Sequence, residues 1–248
     1  MLPFSRITTL AETPSLADAH EELGATVWPE FMLNDPVAIA NWPAMLTRFA
    51  AFQLCMEVDE TLAVVANAVP LRVGVSFRDL HDRGVHWGLE TAVAQSETGI
   101  EPNALMGVQV AIGAGFRGRG LSLPAAKAMI ELARRHGLQH VILPVRPNGK
   151  AEFPLIPMAD YMTWTRPDGL PFDAWLRVHA RLGGTVHRIC HQSMRIPGTV
   201  AEWTRWTGQR FPGSGDYVVD GALSPITIDM DRDLGVYLEP NVWISHAA

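Results

Sequence analysis

Cysteine is nearly absent. Cys55 and Cys190 are the only two in 248 residues, which excludes a disulfide scaffold and any cysteine-rich zinc site. A reducing, cytoplasmic compartment is the corresponding expectation. Long apolar runs are also missing: no uninterrupted stretch approaches the roughly 18 to 20 residues of a membrane-spanning helix. Met1 to Arg6 lack the charged start and apolar run of a secretory signal, so neither export nor membrane insertion is expected. Charge of one sign is scarce, with 20 basic against 26 acidic residues and a net charge of −6. No global electrostatic footprint for nucleic acid follows from that balance. There is no internal repeat, no low-complexity tract and no linker rich in proline or glycine. What is present is an ordinary globular composition, 48% hydrophobic and 19% charged, in a chain long enough to bury a core without staples. One compact unit is expected.

Periodicity predicts a helix over about 15–27 and a second over about 41–57, where Trp42, Met45, Phe49, Phe52 and Met56 recur at three- and four-residue steps. Leu62 to Ala66 and Leu71 to Val75 read as short strands around Pro70, and 87–95 as a helix. The most informative segment follows. Leu105 to Ile112 is a buried-strand pattern that runs into Gly113-Ala-Gly-Phe-Arg-Gly-Arg-Gly120. A helix then spans about 122–136, with Pro124 in its first turn and Gly137 as its stop. His140 to Val145 is another strand, ending at Arg146-Pro-Asn148. Beyond it the pattern predicts a helix over 172–182, a strand over 185–196, a capping box at Thr199-Val-Ala-Glu202 and closing strands at 226–230 and 236–238. Helices first, then a mixed sheet interleaved with helices, make an α/β layered domain.

A glycine-rich turn between a buried strand and a helix N-terminus gathers free backbone N–H groups and the positive end of the helix dipole, which makes an anion site. Glycine lets a phosphate approach the main chain without meeting a Cβ, and Arg117 and Arg119 add charge-assisted contacts. Two ligand classes compete. Gly113-Ala-Gly115-Phe-Arg-Gly118 matches the dinucleotide fingerprint. A dinucleotide unit wants an acidic residue after the next strand, whereas Arg146 stands there, which suits NADP and an oxidoreductase.

The other match is Phe116-Arg-Gly-Arg-Gly-Leu-Ser122. It resembles the pyrophosphate signature of the GNAT superfamily of acyl-CoA-dependent N-acyltransferases, Gln/Arg-x-x-Gly-x-Gly/Ala opening a helix. Gly118 and Gly120 fill its small positions, and Gly115 departs from its leading one. The resemblance runs from about Ser15 to Ile196, with motif support over 105–148. It implies a GNAT-like, mostly antiparallel sheet with a central splayed strand pair, flanked by helices. Residues 1–197 would form the acyl-CoA-binding domain and 198–248 an extension packed on it. Acetyl-CoA or another acyl-CoA would be the co-substrate, with no metal, and the acceptor the amine of a small molecule rather than a nucleic acid or membrane. A homodimer is an allowed assembly.

By the same resemblance, main-chain groups of Val110, Ala111 and Ile112 would bind the pantetheine arm. The amides of Arg117, Gly118, Arg119, Gly120, Leu121 and Ser122 would hold the pyrophosphate, and Asn148 would touch pantetheine. His179 falls on the position of the family's proton-donating tyrosine, with Tyr161 as the competing donor. Gln109, on the central strand, is no useful base. Glu90, Glu97 and Asp160 are the acidic candidates, and ordered water is the expected route for the amine proton. The histidine pairs His136/His140 and His187/His191 are at i,i+4, but the first straddles Gly137 and the second lies on a predicted strand, so neither resembles the helical His-x-x-x-His of a zinc site. Trp164, Trp175, Trp203 and Trp206 are candidates to line an apolar acceptor pocket. A CoA-binding module without catalysis is the third reading, because fold alone does not establish activity.

Overall fold

The computed structural model describes residues 3–74, 76–77 and 80–248. Nine strands form one sheet: β1 (Arg6–Thr9), β2 (Gln53–Val58), β3 (Thr61–Leu71), β4 (Ala104–Ile112), β5 (His140–Val145), β6 (Thr185–Gly198), β7 (Gly215–Tyr217), β8 (Ile226–Asp229) and β9 (Leu234–Ala247). Their order is β1-β2-β3-β4-β5-β9-β8-β7, with β6 on the other edge of β9. All pairings are antiparallel except β4 with β5. Helices α1 (Ala17–Ala25), α2 (Glu30–Leu33), α3 (Pro36–Leu46), α4 (Gly84–Glu97), α5 (Ser122–Arg135), α6 (Met158–Tyr161), α7 (Ala174–Arg181) and α8 (Val200–Thr207) cover its faces.

Alternation along the central strands feeds two cores. Leu105, Val141 and Leu143 join α5 and Leu176 of α7 on one face. Met106, Ile142 and Trp243 join Phe31, Val85, Leu89 and Trp203 on the other. Both faces of the central strands are thus buried, and their sequences read as continuous apolar runs.

The helix expected over 41–57 is corrected. Asp35 caps α3, its Oδ1 accepting from the N–H groups of Val37 and Ala38 at 2.8 and 2.9 Å, so the helix starts earlier and ends at Leu46. Gln53 to Met56 then form part of β2 and are all buried. A doubly buried strand shows no period of two, and the apolar steps of α3 run on into it without a break. The strand expected at 62–66 runs on through Pro70, which pairs with Leu105, and ends at Leu71 as β3, so the second strand expected over 71–75 is corrected: 72–74 lie in no strand. Val75 lies outside the described residues. The closing strand expected at 236–238 extends over all of β9, lying between β5 and β6. Residues 198–248 therefore contribute a central strand of the shared sheet. Where Pro240 has no N–H for the ladder, the β6 register shifts between Cys190 and Met194. Asp82 satisfies that stretch, accepting from the backbone N–H groups of His191 and Gln192.

Candidate active site

β4 and β5 are bonded only at their roots. Their register covers Ala104 to Met106 against His140 to Ile142. From there β4 follows β3 to Ile112 while β5 follows β9 to Val145. The strands part, and the facing edges present backbone N–H and C=O groups to the gap. The register between β3 and β4 also shifts after Asn67, leaving Val108 unpaired opposite it. Such a bulge re-aims the backbone where it occurs. This is the splayed pair expected of residues 105–145.

At the end of β4 the chain turns through Gly113 to Gly120 into α5. Gly118 and Gly120 have φ of +77° and +74°, a conformation that glycine adopts freely. A Cβ built on either meets nothing within 4 Å, so open space lies over both. Leu121, buried in the core, fixes the turn against the sheet and offers no side-chain acceptor to α5. The first-turn N–H groups are left for an outside acceptor. Arg117 Nε donates to the Ile112 carbonyl at 3.2 Å, and the Arg119 guanidinium stands 5.1 Å from the Phe116 ring centre. The turn therefore fits a diphosphate. The helix starts beyond Gly118 instead of inside the Gly113–Gly118 fingerprint. The dinucleotide alternative is not favoured.

The gap opens into a cavity of about 690 Å³, the size of a small-molecule site. β4 contributes Gly107 to Val110, the end of β5 contributes Leu143 to Arg146, and Asn148 follows. Helices α1 to α4 close the far side with Trp28, Met32, Trp42, Val85 and Leu89 among others. Trp28 is fixed by donating its Nε1–H to Gln109 Oε1 at 2.5 Å. Gly24 of α1 makes that arrangement possible, since a Cβ there would sit 2.6 Å from Gln109 Nε2.

Several expected site residues come together here. Val110 and Asn148 line the cavity, and Gly118 to Ser122 form the turn beside the gap. Ala111 is fully buried and is not among the lining residues. The two expected proton donors are placed elsewhere. Tyr161 is buried and donates its hydroxyl to Asp173 Oδ2 at 3.0 Å; burial and that carboxylate push its phenol above the ordinary range. His179 is also buried, bonded through Nδ1 to His246 Nε2 at 2.9 Å. Burial, with a contribution from His246, pushes its pKa down to about 3. Trp175 does line the cavity, and its ring packs on His179 with centroids 4.5 Å apart. Neither Tyr161 nor His179 is among the residues lining this cavity: both are held in internal hydrogen bonds and kept in the uncharged form. Of the four candidate tryptophans only Trp175 faces the cavity. Trp203 packs on Phe31 and Trp206, and Trp164 on Phe153, Tyr161 and Phe172. Glu90 and Glu97 form exposed pairs with Arg83 and Arg48.

The sequence reading missed a polar cluster on the cavity floor. Glu239, fully buried, accepts from Arg146 Nε at 2.9 Å, Tyr237 Oη at 3.1 Å and Asn241 Nδ2 at 3.1 Å. Glu239 and Asn241 come from β9 and meet Arg146 only because β9 pairs with β5. The single signal was a pair of polar residues, Glu239 and Asn241, at period two beside apolar strand residues. Among the described residues no group of three or more histidines, cysteines or acids is placed to hold a metal ion, and no helix is long and apolar enough to cross a membrane.

No family model matches the chain. It is 29% identical over 275 aligned residues to the arginine N-acetyltransferase avaD of Aspergillus versicolor, with 98% of this chain and 94% of the relative covered. Among solved structures, the loading GNATL domain of CurA from Lyngbya majuscula is similar over 98% of this chain and 96% of its own, with TM-score 0.62 and 13% identity. These likenesses support the resemblance to the GNAT superfamily, whose fold the chain has. A second GNAT fold, the GphF GNAT-like decarboxylase in complex with isobutyryl-CoA, matches over 98% of both chains with TM-score 0.56 and 17% identity. As in these GNAT folds, the sheet is mixed, mostly antiparallel and flanked by helices.

Proposed function

We propose that this GNAT-superfamily acyltransferase moves an acetyl or other short acyl group from acyl-CoA to the amine of a small molecule held in the 690 Å³ cavity. One observation carries the reading: the glycine turn, the unpaired edge of β4 and the cavity lie consecutively along residues 107–122. The amides of residues 117–122 would hold the diphosphate, the free edges at 110–112 and 143–145 the pantetheine arm, and Asn148 the cavity mouth. The thioester supplies an activated acyl group. A free N–H on the β4 edge near the Val108 bulge is suited to donate to a carbonyl oxygen as negative charge develops there, a role that asks nothing of a side chain. The apolar lining excludes water and strengthens that donation. With no histidine or tyrosine among the lining residues, the amine proton leaves through water at the cavity mouth; the C–N bond forms as the C–S bond breaks, and the departing CoA thiolate takes a proton from that water. The arginine N-acetyltransferase among the relatives supports an amine acceptor.

Thermal unfolding with CoA, acetyl-CoA, NADP and NAD tests the cofactor class. A ligand at 100 times its Kd stabilises the folded state by about 2.7 kcal/mol, which for this chain length raises Tm by about 5 to 10 °C. The shift is expected with CoA and acetyl-CoA only. A shift with NADP alone overturns the reading. CoA release from acetyl-CoA in the presence of an amine panel then separates catalysis from binding alone.

A further inference from the structure

The floor of the cavity holds a charged group that neither CoA binding nor acyl transfer uses. Arg146 follows β5 directly. Two of its five N–H donors are engaged, Nε to Glu239 Oε2 and Nη2 to the Gly221 carbonyl. Its guanidinium lies 5.7 Å from the ring centre of Trp28, itself held by Gln109. The side chain is thus fixed on three sides, yet it remains 20% exposed and lines the cavity, whereas Glu239 behind it is 1% exposed. Burial works most strongly against the charge of Arg146, but Glu239 and Tyr237 acting together offset it and raise its pKa. The cation is permanent and its orientation is set.

Arg146 is the one cation among the described residues lining the cavity, which is walled mostly by Trp, Met, Leu and Val, with Glu21, Thr47, Gln109, Asn148, Glu239 and Asn241 as its other polar groups. A planar guanidinium with unspent, fixed donors in an apolar cavity matches one chemical group best, a carboxylate, which it binds in a fork of two parallel hydrogen bonds. We propose that Arg146 is a specificity-determining residue that binds a carboxylate of the substrate, and that Glu239 is its positioning residue. The proposal rests on the acyl-transfer reading and adds the substrate class. The carboxylate belongs to the acceptor, as in an α-amino acid, or to the acyl chain, as in a dicarboxylic acyl-CoA.

Matched pairs separate these sources. The acceptor arm uses acetyl-CoA with arginine against agmatine and phenylalanine against phenethylamine. The acyl arm uses a single amine with malonyl-CoA against acetyl-CoA. The wild type is expected to favour the carboxylate-bearing member of one arm by about 10- to 100-fold in kcat/KM, the worth of a charged hydrogen bond, and mainly through KM. Arg146→Met is expected to bring that ratio close to 1, and Arg146→Lys, which keeps the charge and loses the fork, to restore part of it. A ratio measured within one variant cancels any loss of folded protein. If neither arm discriminates in the wild type, or if discrimination survives Arg146→Met, the proposal is overturned. The same pairs are read as Tm shifts, the acceptors on CoA-saturated protein and the two acyl-CoAs on ligand-free protein. That readout needs no turnover. CoA binding without acyl transfer would remove the transferase reading, while carboxylate discrimination lost on Arg146→Met would still support this one.

Discussion

Replacing Gly120 with glutamate is expected to weaken CoA binding by roughly 100-fold or more in a chain that still folds. Two physical effects act together. At φ of +74° any L side chain costs about 1–2 kcal/mol of backbone strain, tolerable in an exposed turn for a domain of ordinary stability. The larger effect is local, because the new Cβ projects into open space over the turn. That space is where the diphosphate would lie, and a carboxylate there displaces it sterically and repels it. Gly99→Glu is the control. Gly99 has φ of +69° and nothing within 4 Å of a built Cβ, so strain and added charge are the same. It precedes β4, whereas Gly120 follows that strand, and the nine residues of β4 alone span about 30 Å. Isothermal titration of CoA into both variants decides the matter. Affinity of Gly120→Glu within about threefold of wild type would remove the diphosphate from this turn.

The segment that made this prediction possible was legible in the sequence because its information is local. Strand, glycine turn, helix and strand over 104–145 are each specified by neighbours in the chain: the apolar run of β4, the positive-φ glycines, Pro124 in the first turn of α5 and Gly137 after its end. The Thr199–Glu202 capping box is local too, and it forms as read. What depended on distant pairing was not legible. Nothing near residue 240 says that β9 will lie against β5, so the meeting of Arg146 with Glu239, 93 residues apart, could not be read. The same holds for Trp28 and Gln109, 81 residues apart. His179 shows a different limit. Its place on α7 was predicted, but which face of α7 is buried depends on β9, whose His246 bonds it. A helix position does not reveal whether a polar side chain meets solvent, substrate or another buried histidine.

Acid is expected to unfold the protein through these buried histidines, with a steepness that counts them. Burial pushes the pKa of His179 down to about 3, helped by His246, and that of His20 down to about 4, against a weaker opposing pull from the Leu54 backbone. Both side chains are essentially without solvent exposure. In the unfolded chain each titrates near 6.5. Between pH 6.5 and 4 the unfolded state therefore holds about two protons that the folded state refuses. Stability rises with pH wherever the unfolded state binds more protons, so this contribution is complete above pH 6.5 and is lost as pH falls towards 4 and 3. With both unfolded-state histidines charged, near pH 5, the slope is about 3 kcal/mol per pH unit. One and a half units then remove a large share of an ordinary domain's stability. The lowered carboxylates Glu12 and Glu202 act with the same sign but below the ordinary glutamate pKa of about 4.3, so the range from pH 6.5 to 5 isolates the histidines. Urea unfolding at half-unit steps from pH 7.5 to 5 measures the slope directly. A slope under about 1 kcal/mol per unit would mean that the folded protein accepts these protons. It would also return His179 to the group of residues able to donate one near neutral pH, since a neutral imidazole with a pKa near 3 carries no such proton to give.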